Sequence, residues 1–372
     1  MSISWSQFGN TIIRNARKKR IPLVAQFELT SRCNLRCKMC YVCNTKNTSE
    51  IIKREKTAEE WIDLSRQARD AGVLYVLLTG GEVFLRSDFR QIYEAISEMG
   101  FIVQIYTNGT LITPEIAKWL GKRPPSKISV TMYGGTPQTY KAITGSAEAY
   151  EKAKRGVDLL LAEGILTKVR TTVVKGNCND VEKIFDFTYD RGIEFGSIHE
   201  ISQRREGDDT DPAGERLSPK EVMEYEKRLS SYIKNKKKYD DATVPKKEAE
   251  EPDIDKVIED KTTENVKINS FACSASHCAF WVTWDGRLTP CGLLPEPSVD
   301  VFEMGFLAAW EMLKKQCDKI PSCKECDNCK YKPFCFICPA RLYAENGKYD
   351  TCASYIKEIA IMRYERRESK PM

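Results

Sequence analysis

Residues 23–41 read LVAQFELTSRCNLRCKMCY, a short apolar run that leads directly into three closely spaced cysteines. Apolar side chains dominate residues 24–29, and a run of this length that ends at Thr30 and Ser31 predicts a β-strand. Cys33, Cys37 and Cys40 follow with the spacing C-x3-C-x2-C. The stretch therefore predicts a strand whose C-terminal end carries a loop of three thiols.

The spacing of these thiols favours an iron–sulfur cluster. Three thiolates on one loop can hold three corners of a [4Fe-4S] cluster, which leaves the fourth iron open to a small molecule. Closely spaced cysteines also form zinc sites and disulfides. Zinc sites favour four ligands in C-x2-C pairs, and the next thiol, Cys43, gives a spacing that is uncommon for zinc. We therefore expect a cluster at this loop.

The chain between residues 23 and 202 alternates strand-like runs with amphipathic helical stretches, the pattern of parallel βα units. Helix starts are recognisable in the capping box that begins at Thr57, in Pro114 and in Asn179 followed by Glu182. The predicted strands are residues 24–29, 73–79, 102–107, 128–132, 167–174 and 194–198. Six such units predict an α/β fold, a partial (β/α)6 barrel of the TIM type.

The remainder of the chain divides into three parts. Residues 1–22 form an N-terminal extension. Residues 203–265 contain 14 basic and 18 acidic residues and no cysteine, which predicts a charged helical linker whose helix opens at Ser218 and runs to about residue 238. Residues 266–372 form a cysteine-rich domain with little regular structure and a C-terminal helix. Ten of the fifteen cysteines lie between residues 273 and 352, so metal centres are expected to hold this region together.

Composition argues against several classes of function. The 58 basic and 53 acidic residues leave a net charge of +5 over 372 residues, too little for a dedicated nucleic-acid surface. No apolar run approaches the length of a membrane span, and residues 1–22 lack the features of an export signal. An odd number of cysteines cannot all pair with one another, and only two histidines are present. We expect a cytoplasmic protein whose cysteines carry its metal chemistry, with no nucleic-acid or membrane partner.

Gly80, Gly81 and Glu82 stand directly after the second predicted strand. Glycines allow close approach of backbone to a ligand, and a carboxylate accepts hydrogen bonds from an ammonium group. Most Gly-Gly pairs are simple turns. At the C-terminal end of a parallel strand, however, where barrels bind their ligands, the same residues predict a binding site.

The C-x3-C-x2-C loop, Gly80-Gly81-Glu82, Thr107-Asn108-Gly109 and Ser129 together resemble the radical S-adenosylmethionine (SAM) superfamily over roughly residues 22–200. The resemblance implies that the amino and carboxylate groups of SAM chelate the open iron of the cluster. It also implies that an external low-potential electron donor reduces the cluster, which cleaves SAM to a 5'-deoxyadenosyl radical. Such a radical abstracts hydrogen from unactivated C–H bonds.

The resemblance also implies which residues contact SAM: Met39, Tyr41, Gly80, Gly81, Glu82, Thr107, Ser129 and Arg170. The glycines and Glu82 would receive the amino group, Ser129 and Arg170 would hold the carboxylate, and Met39 and Tyr41 would flank the adenine. Structural roles stay open beside these. A strand-end hydroxyl also satisfies backbone groups, and a strand arginine also pairs with a structural acid.

The later cysteines resemble the SPASM extension of the superfamily, which usually carries two auxiliary [4Fe-4S] clusters. The resemblance implies one ligand set of Cys273, Cys278, Cys291 and Cys338, and a second of Cys326, Cys329, Cys335 and Cys352. Three clusters are therefore expected in all. Two residues separate Cys335 from Cys338, where the family usually has three. The remaining cysteines, Cys43, Cys178, Cys317 and Cys323, fit small buried apolar side chains. A zinc ribbon is the alternative for the dense run.

SPASM members often modify peptides or proteins. The resemblance therefore implies an oxidoreductase or maturase that forms a thioether or other crosslink in a ribosomally synthesised peptide, with or without a separate leader-binding protein. One alternative is oxidation or decarboxylation of a small molecule, as in the haem pathway. Another is protein oxidation of the sulfatase-maturase type, although Gly292 stands where such enzymes carry an aspartate. A non-catalytic iron–sulfur or zinc protein would not cleave SAM, and Gly80-Gly81-Glu82 count against it.

Overall fold

The computed structural model describes residues 5–42, 48–205, 210–240, 270–335 and 338–368. Their strands form one sheet with the order β6-β5-β4-β3-β2-β1-β7-β8-β9. The strands are β1 (Val24–Glu28), β2 (Tyr75–Thr79), β3 (Ile102–Thr107), β4 (Lys127–Thr131), β5 (Thr167–Thr172), β6 (Glu194–Ile198), β7 (Ala279–Val282), β8 (Arg287–Thr289) and β9 (Val299–Asp300). All six strands predicted from the sequence are present, within two residues of their expected ends.

Strands β1 to β6 are parallel, and each pairs with the next one along the chain. This is the order of a partial (β/α)6 barrel, so the predicted fold class is confirmed. Strand β7 adds to the other side of β1 in parallel, with Ala279 opposite Val24, and β8 and β9 follow in antiparallel pairs. The cysteine-rich region thus continues the sheet of the barrel, which the sequence did not predict.

The helices of the described residues fall mainly between the strands and after β9. They are α1 (Trp5–Lys19), α2 (Thr48–Arg54), α3 (Ala58–Asp70), α4 (Phe89–Glu98), α5 (Pro114–Lys122), α6 (Pro137–Thr144), α7 (Glu148–Ala162), α8 (Val181–Tyr189), α9 (Pro212–Glu215), α10 (Pro219–Asp240), α11 (Val301–Met304), α12 (Phe306–Cys317), α13 (Lys324–Asp327), α14 (Pro339–Asn346) and α15 (Ser354–Glu368). The predicted capping box opens α3, because Glu60 N donates to Thr57 Oγ1 (3.2 Å) and Thr57 N donates to Glu60 Oε2 (2.7 Å).

Side chains of the barrel strands alternate between a face that packs on the helices and a face that points into the barrel. The helix-facing side chains, such as Val103 and Ile105 of β3, belong to the main apolar core. Ile102 and Tyr106, which alternate with them, pack instead with a second cluster that includes Ile13 of α1. Helix α1 therefore covers part of the inner face of the barrel.

The long helix α10 is the predicted linker helix. Its buried side chains Val222, Tyr225 and Leu229 pack with Val173 of the barrel and Ile359 of α15. The helix therefore ties the barrel to the C-terminal helix. The acidic remainder of the predicted linker, residues 241–265, lies outside the described residues. In the part of the chain that the structure covers, no helix has both the length and the apolar character of a membrane crossing.

Candidate active site at the C-terminal ends of the strands

The cysteine loop follows β1 at the edge of the sheet where the parallel strands end. Cys33, Cys37 and Cys40 pack in one cluster with the partly buried ring of Tyr133. Burial and the nearby thiols, Cys37 first among them, raise the pKa of Tyr133 well above its ordinary value. Lys38 N donates to the carbonyl oxygen of Ile143 in α6 (3.1 Å), which fixes the middle of the loop. The structure thus brings the three predicted cluster ligands together.

Gly80 and Gly81 lie directly beneath the start of this loop. A Cβ atom on Gly80 would overlap the carbonyl oxygen of Thr30, and one on Gly81 would overlap the carbonyl oxygen of Arg32. Gly81 N donates to Thr30 O (2.7 Å), and Glu82 N donates to Arg32 O (2.8 Å). The glycines are therefore required for the end of β2 to pack against the cysteine loop.

Glu82 is a buried carboxylate. It links the end of β2, where that strand packs against the cysteine loop, to the turn after β3. Its side chain accepts hydrogen bonds from Thr107 Oγ1 (2.8 Å), Asn108 N (2.7 Å) and Phe84 N (3.2 Å). Burial raises the pKa of Glu82 to about 6, although these three hydrogen bonds lower it. A carboxylate has lone pairs beyond those that the three donors use, so Glu82 can also accept from an ammonium group.

Asn108 contacts the cysteine loop directly, a role that the sequence did not predict. Its Nδ2 donates to Cys33 Sγ (3.7 Å) and to Asn34 Oδ1 (2.9 Å). Hydrogen bonds to a ligating sulfur tune the reduction potential of an iron–sulfur centre. The only sequence signal was its place in the Thr107-Asn108-Gly109 run.

Two of the predicted SAM contacts, Ser129 and Arg170, lie at different positions along the paired strands β4 and β5. Ser129 lies opposite Lys168, whereas Arg170 lies opposite Thr131, two residues nearer the barrel mouth. All four face into the barrel. The guanidinium carbon of Arg170 lies 4.7 Å from the centre of the Tyr106 ring. Thr131 is thus the hydroxyl that shares the level of Arg170, and the two-residue alternation along β4 was the signal for it.

Tyr41, the last residue of the cysteine motif, lies beside a buried ion pair. Arg205 Nη2 donates to both carboxylate oxygens of Glu28 (2.8 and 2.9 Å), and each side chain is only 1% exposed. Trp281 Nε1 donates to the same carboxylate (2.9 Å), and Arg205 Nη1 donates to Gly292 O (3.1 Å). Burial, and next the charge of Glu28, raise the pKa of Tyr41. The pair joins β1, β7 and the segment after β6, and it was not predicted.

Three of the four cysteines predicted for the first auxiliary cluster lie close to one another. Burial, and next the nearby Cys338 thiol, raise the pKa of Cys273 to about 11 and that of Cys291 to about 12. Cys278 is different. Its fully buried side chain packs in the inner cluster of the barrel, and among the cysteines only Cys273 contributes to its raised pKa. The structure brings three of these ligands together and sets Cys278 to one side.

A fifth cysteine lies beside the four that were predicted to bind the second auxiliary cluster. Cys326, Cys335 and Cys352 pack around Cys323, which is only 6% exposed and which the sequence left unassigned. Cys326 also makes a side-chain hydrogen bond with Cys323, which together with burial raises the pKa of Cys326. Cys329 also lies near, because it contributes to the raised pKa of Cys352. Five thiols thus surround this site.

Among the other unassigned cysteines, Cys178 packs beside α10 and Cys317 lies in the main core, and Cys43 is outside the described residues. The fourteen cysteines that the structure describes are present as thiols. Within the described ranges, no three histidine, cysteine or acidic side chains converge closely enough to ligate one metal ion. A cluster offers a separate iron to each thiolate and does not require that convergence.

The family model of the radical SAM superfamily matches residues 27–188, from β1 to the end of α8. Residues 27–188 are therefore a radical SAM domain. In structure this radical SAM enzyme is similar to SuiB of Streptococcus suis, solved with bound S-adenosylmethionine. The TM-score is 0.69 at 17% sequence identity, and the match covers 95% of this chain and 82% of SuiB. The likeness to SuiB therefore extends over the cysteine-rich region as well as the barrel.

Two sequence relatives of this radical SAM enzyme have named activities. It is 26% identical over 341 residues to the AdoMet-dependent heme synthase of Methanosarcina barkeri, which covers 88% of this chain and 94% of the relative. It is 27% identical over 221 residues to AlbA, the antilisterial bacteriocin subtilosin biosynthesis protein of Bacillus subtilis, which covers 58% of this chain and 48% of the relative. The two relatives point to different substrates.

Proposed function

We propose that this radical SAM enzyme cleaves SAM at the barrel mouth and abstracts hydrogen from a peptide, which leads to a thioether or other crosslink in a ribosomally synthesised peptide. One observation supports this above the others. The cysteine loop, the glycine pair and the carboxylate of Glu82 meet at the C-terminal edge of one parallel sheet. A reduced [4Fe-4S] cluster bound there supplies the electron that converts SAM to a 5'-deoxyadenosyl radical.

The residues of the loop fit a cluster with one open iron. Cys33, Cys37 and Cys40 provide three thiolates, and Asn108 donates to Cys33 Sγ. We propose that no fourth side chain completes the set, so that SAM takes the open position. An external low-potential electron donor is then needed.

For SAM itself, we propose that the backbone at Gly80 and Gly81 and the carboxylate of Glu82 receive the amino group. The buried carboxylate of Glu82 suits a cation, since an ammonium group would offset its desolvation. We assign the SAM carboxylate to Arg170 together with Thr131, because these two stand at one level at the mouth and Ser129 stands lower. Thr107 is already engaged with Glu82 and acts through it.

Met39 and Tyr41 are proposed to flank the adenine. Met39 is buried, and Tyr41 is positioned by Arg205, whose backbone N donates to Tyr41 O (3.1 Å). Through its bond with Glu28, Arg205 also holds the segment after β6 across the end of β1. Exclusion of water at this point protects a reactive intermediate from quenching.

The thiols of the cysteine-rich region are proposed to hold two auxiliary [4Fe-4S] clusters. Cys273, Cys291 and Cys338, with Cys278 as the fourth predicted ligand, serve the first. Cys326, Cys329, Cys335 and Cys352 were predicted for the second, and Cys323 competes for a place among them. Such clusters can take an electron from the substrate or bind a substrate sulfur.

A peptide substrate is favoured by the open side of the barrel. Strand β6 is the last strand on its side of the sheet. Its inward-facing residues Glu194 and Ile198 are exposed, the latter by 39%. An extended chain can enter there and reach the mouth. SuiB has also been solved with its precursor peptide SuiA, which supports the same class of substrate.

The second candidate is oxidation or decarboxylation of a small molecule of the haem-pathway type. The M. barkeri heme synthase favours it, because its alignment runs through both the barrel and the cysteine-rich region. One experiment separates the two. The reconstituted, reduced enzyme is incubated with SAM and one of two substrates. The first is a short peptide co-expressed from a neighbouring gene, and the second is a carboxylated tetrapyrrole. The masses of the products are then measured by mass spectrometry.

Loss of two hydrogens from the peptide, with formation of 5'-deoxyadenosine, supports the peptide function. Loss of carbon dioxide from the tetrapyrrole with an unchanged peptide would overturn it in favour of the second candidate. The variant in which Cys33, Cys37 and Cys40 are all alanine is the control, and it is expected to leave both compounds unchanged.

A further inference from the structure

The end of the SAM-binding cysteine loop and the loop that carries Cys291 meet at one buried ion pair. Glu28 of β1 and Arg205 of the segment after β6 are each 1% exposed. Arg205 Nη2 donates to both carboxylate oxygens of Glu28, which fixes the orientation of the guanidinium. A buried ion pair repays its desolvation only when further hydrogen bonds satisfy the remaining groups. Those further bonds show what the pair holds in place.

On one side, the pair holds the end of the SAM-binding cysteine loop. Arg205 N donates to Tyr41 O (3.1 Å), and the guanidinium carbon lies 5.7 Å from the centre of the Tyr41 ring. Thr210 of the same segment donates from Oγ1 to Cys40 O (2.7 Å). The carbonyl groups of a proposed cluster ligand and of the next residue, a proposed adenine contact, therefore both accept from the segment after β6.

On the other side, the pair holds the backbone that follows Cys291. Arg205 Nη1 donates to Gly292 O (3.1 Å). The indole ring of Trp281 lies directly against the same backbone, because a Cβ atom on Gly292 would be only 3.0 Å from Trp281 Cε3. Trp281 Nε1 in turn donates to Glu28 (2.9 Å). Gly292 is thus held by Arg205 and Trp281, and Glu28 binds both of these side chains.

The peptide group between Gly292 and Leu293 connects Arg205 to a proposed cluster ligand. Burial first, and then the neighbouring thiols, raise the pKa of Cys291 to about 12, although hydrogen bonds from the N–H groups of Leu293 and Leu294 lower it. The guanidinium bonds the carbonyl oxygen of the same peptide group whose N–H contacts the Cys291 sulfur. Hydrogen bonds in such a chain polarise and strengthen one another. A stronger N–H bond to a ligating sulfur raises the potential of a cluster, because it stabilises the more negative reduced state.

We propose that Arg205 is a positioning residue that fixes the SAM-binding cysteine loop and the Cys291 loop together, and that it raises the reduction potential of the first auxiliary cluster through the Gly292–Leu293 peptide. This inference rests on the proposed function and on the proposed cluster at Cys273, Cys291 and Cys338. A cluster of higher potential accepts an electron more readily. Arg205 therefore favours the step in which the substrate radical is oxidised by one electron and the cluster is reduced by one.

Two variants separate this role from the burial of charge. Glu28→Gln/Arg205→Met removes both charges together, so that no unpaired charge stays buried. Arg205→Lys keeps a cation beside Glu28 but loses the planar fork that reaches Glu28 and Gly292 at once. If the double variant does not load its clusters, Arg205→Lys still tests the role.

Two further variants are controls. Thr210→Val removes the bond to Cys40 O and leaves Arg205 in place. Arg191→Met is the matched arginine control, because Arg191 pairs with the half-exposed carboxylate of Asp158 on α7. The second auxiliary cluster is an internal control in every sample, since its cysteines pack with buried side chains of α14 and α15 in a separate apolar cluster.

The midpoint potential of each cluster is measured by EPR redox titration of the anaerobic, cluster-loaded protein, and the Kd for SAM by equilibrium binding. The signal that disappears in Cys291→Ala is assigned to the first auxiliary cluster. In Glu28→Gln/Arg205→Met, the reduction equilibrium of that cluster is expected to shift at least tenfold towards the oxidised form, about 59 mV for one electron. SAM affinity is expected to fall at least fivefold.

Arg205→Lys is expected to lower the same potential by a smaller amount. Thr210→Val should weaken SAM binding and leave the potential of the first auxiliary cluster unchanged, and Arg191→Met should change neither quantity. The second auxiliary cluster should keep its potential throughout.

Four results would each overturn the proposal. They are an unchanged potential of the first auxiliary cluster in both Arg205 variants, an equal shift in both auxiliary clusters, an equal shift in Thr210→Val, and an unchanged SAM affinity in the double variant. The second and third would show a general loosening of the fold, and the fourth would show that the two loops are not held together by Arg205.

The same preparations separate this inference from the proposed function. If wild type releases no 5'-deoxyadenosine under reduction, the proposed function fails, whatever the potentials are. If Cys291→Ala keeps every cluster signal, the proposed ligand set fails and the role of Arg205 falls with it. If cleavage is normal and Cys291→Ala loses one cluster, but the Arg205 variants keep the wild-type potentials, only the role of Arg205 fails.

Discussion

The pH dependence of SAM binding should reveal the ionisation of the Glu82 carboxyl group. Its carboxylate is buried and fixed by Thr107, Asn108 and Phe84, and burial raises its pKa from 4.5 to about 6. A carboxyl group whose pKa is raised in the folded state favours the protonated form, so its contribution to stability is complete below about 4.5 and is lost as the pH rises through 6. The shift corresponds to about 2 kcal/mol at neutral pH, which an ammonium group placed beside the carboxylate would recover.

The magnitude follows from the ionised fraction. With a pKa of about 6, roughly one Glu82 in eleven is ionised at about pH 5, and nearly all are ionised at about pH 7.5. If only the ionised form accepts from the SAM ammonium, the apparent Kd is the intrinsic Kd divided by that fraction. The Kd for SAM should therefore fall roughly tenfold between these two pH values.

The assay is equilibrium binding of SAM to the cluster-loaded enzyme over this pH range, for wild type and for Glu82→Gln. The glutamine keeps the size of the side chain and does not titrate. Other titrating groups, including the SAM amino group itself, affect both proteins, so the prediction concerns the tenfold difference between the two profiles. Identical profiles for wild type and Glu82→Gln would refute the reasoning.

Three other predictions concern the clusters and the buried amide of Gln104. Asn108→Leu removes the bond to Cys33 Sγ and should lower the midpoint potential of the SAM-binding cluster by about 50 mV in an EPR redox titration, because an amide donor stabilises the more negative reduced state; an unchanged potential would contradict the contact. Cys323→Ala should keep the full iron content, as should Cys178→Ala, because the four predicted ligands of the second cluster remain, and a loss of about four irons in Cys323→Ala would place that thiol among the ligands. Gln104→Met should raise the unfolding temperature of the substrate-free enzyme, since a buried amide without partners costs about 1–3 kcal/mol, and a lowered temperature would show that the amide is satisfied in the native protein.

The barrel strands could be predicted from the sequence because each is a local apolar run. The cysteine loop could be located for the same reason, since its three ligands and the strand before it lie within one short stretch. Gly81 was recognisable as a site residue from its position after a strand. Its actual constraint, the overlap that a Cβ would make with Arg32 O, requires the packed loop.

Contacts between distant parts of the chain could not be predicted. Strand β7 pairs with β1 across about 250 residues, and the Glu28–Arg205 ion pair joins a strand to the start of the segment that was predicted to be a charged linker. Local composition carries no signal for such partners. The alternation along β4 showed that Ser129 and Thr131 share a face, but only the strand register shows that Thr131 lies opposite Arg170. Cys323 was unassigned for a similar reason, since only packing brings it beside Cys326.

The central claim is that Cys33, Cys37 and Cys40 carry the cluster that cleaves SAM. It is tested most directly by measuring 5'-deoxyadenosine from SAM under strong reduction, with the iron content of the same samples. Wild type is expected to hold about twelve irons and to release 5'-deoxyadenosine, and the triple alanine variant to hold about eight and release none. Continued cleavage by the triple variant would contradict the account.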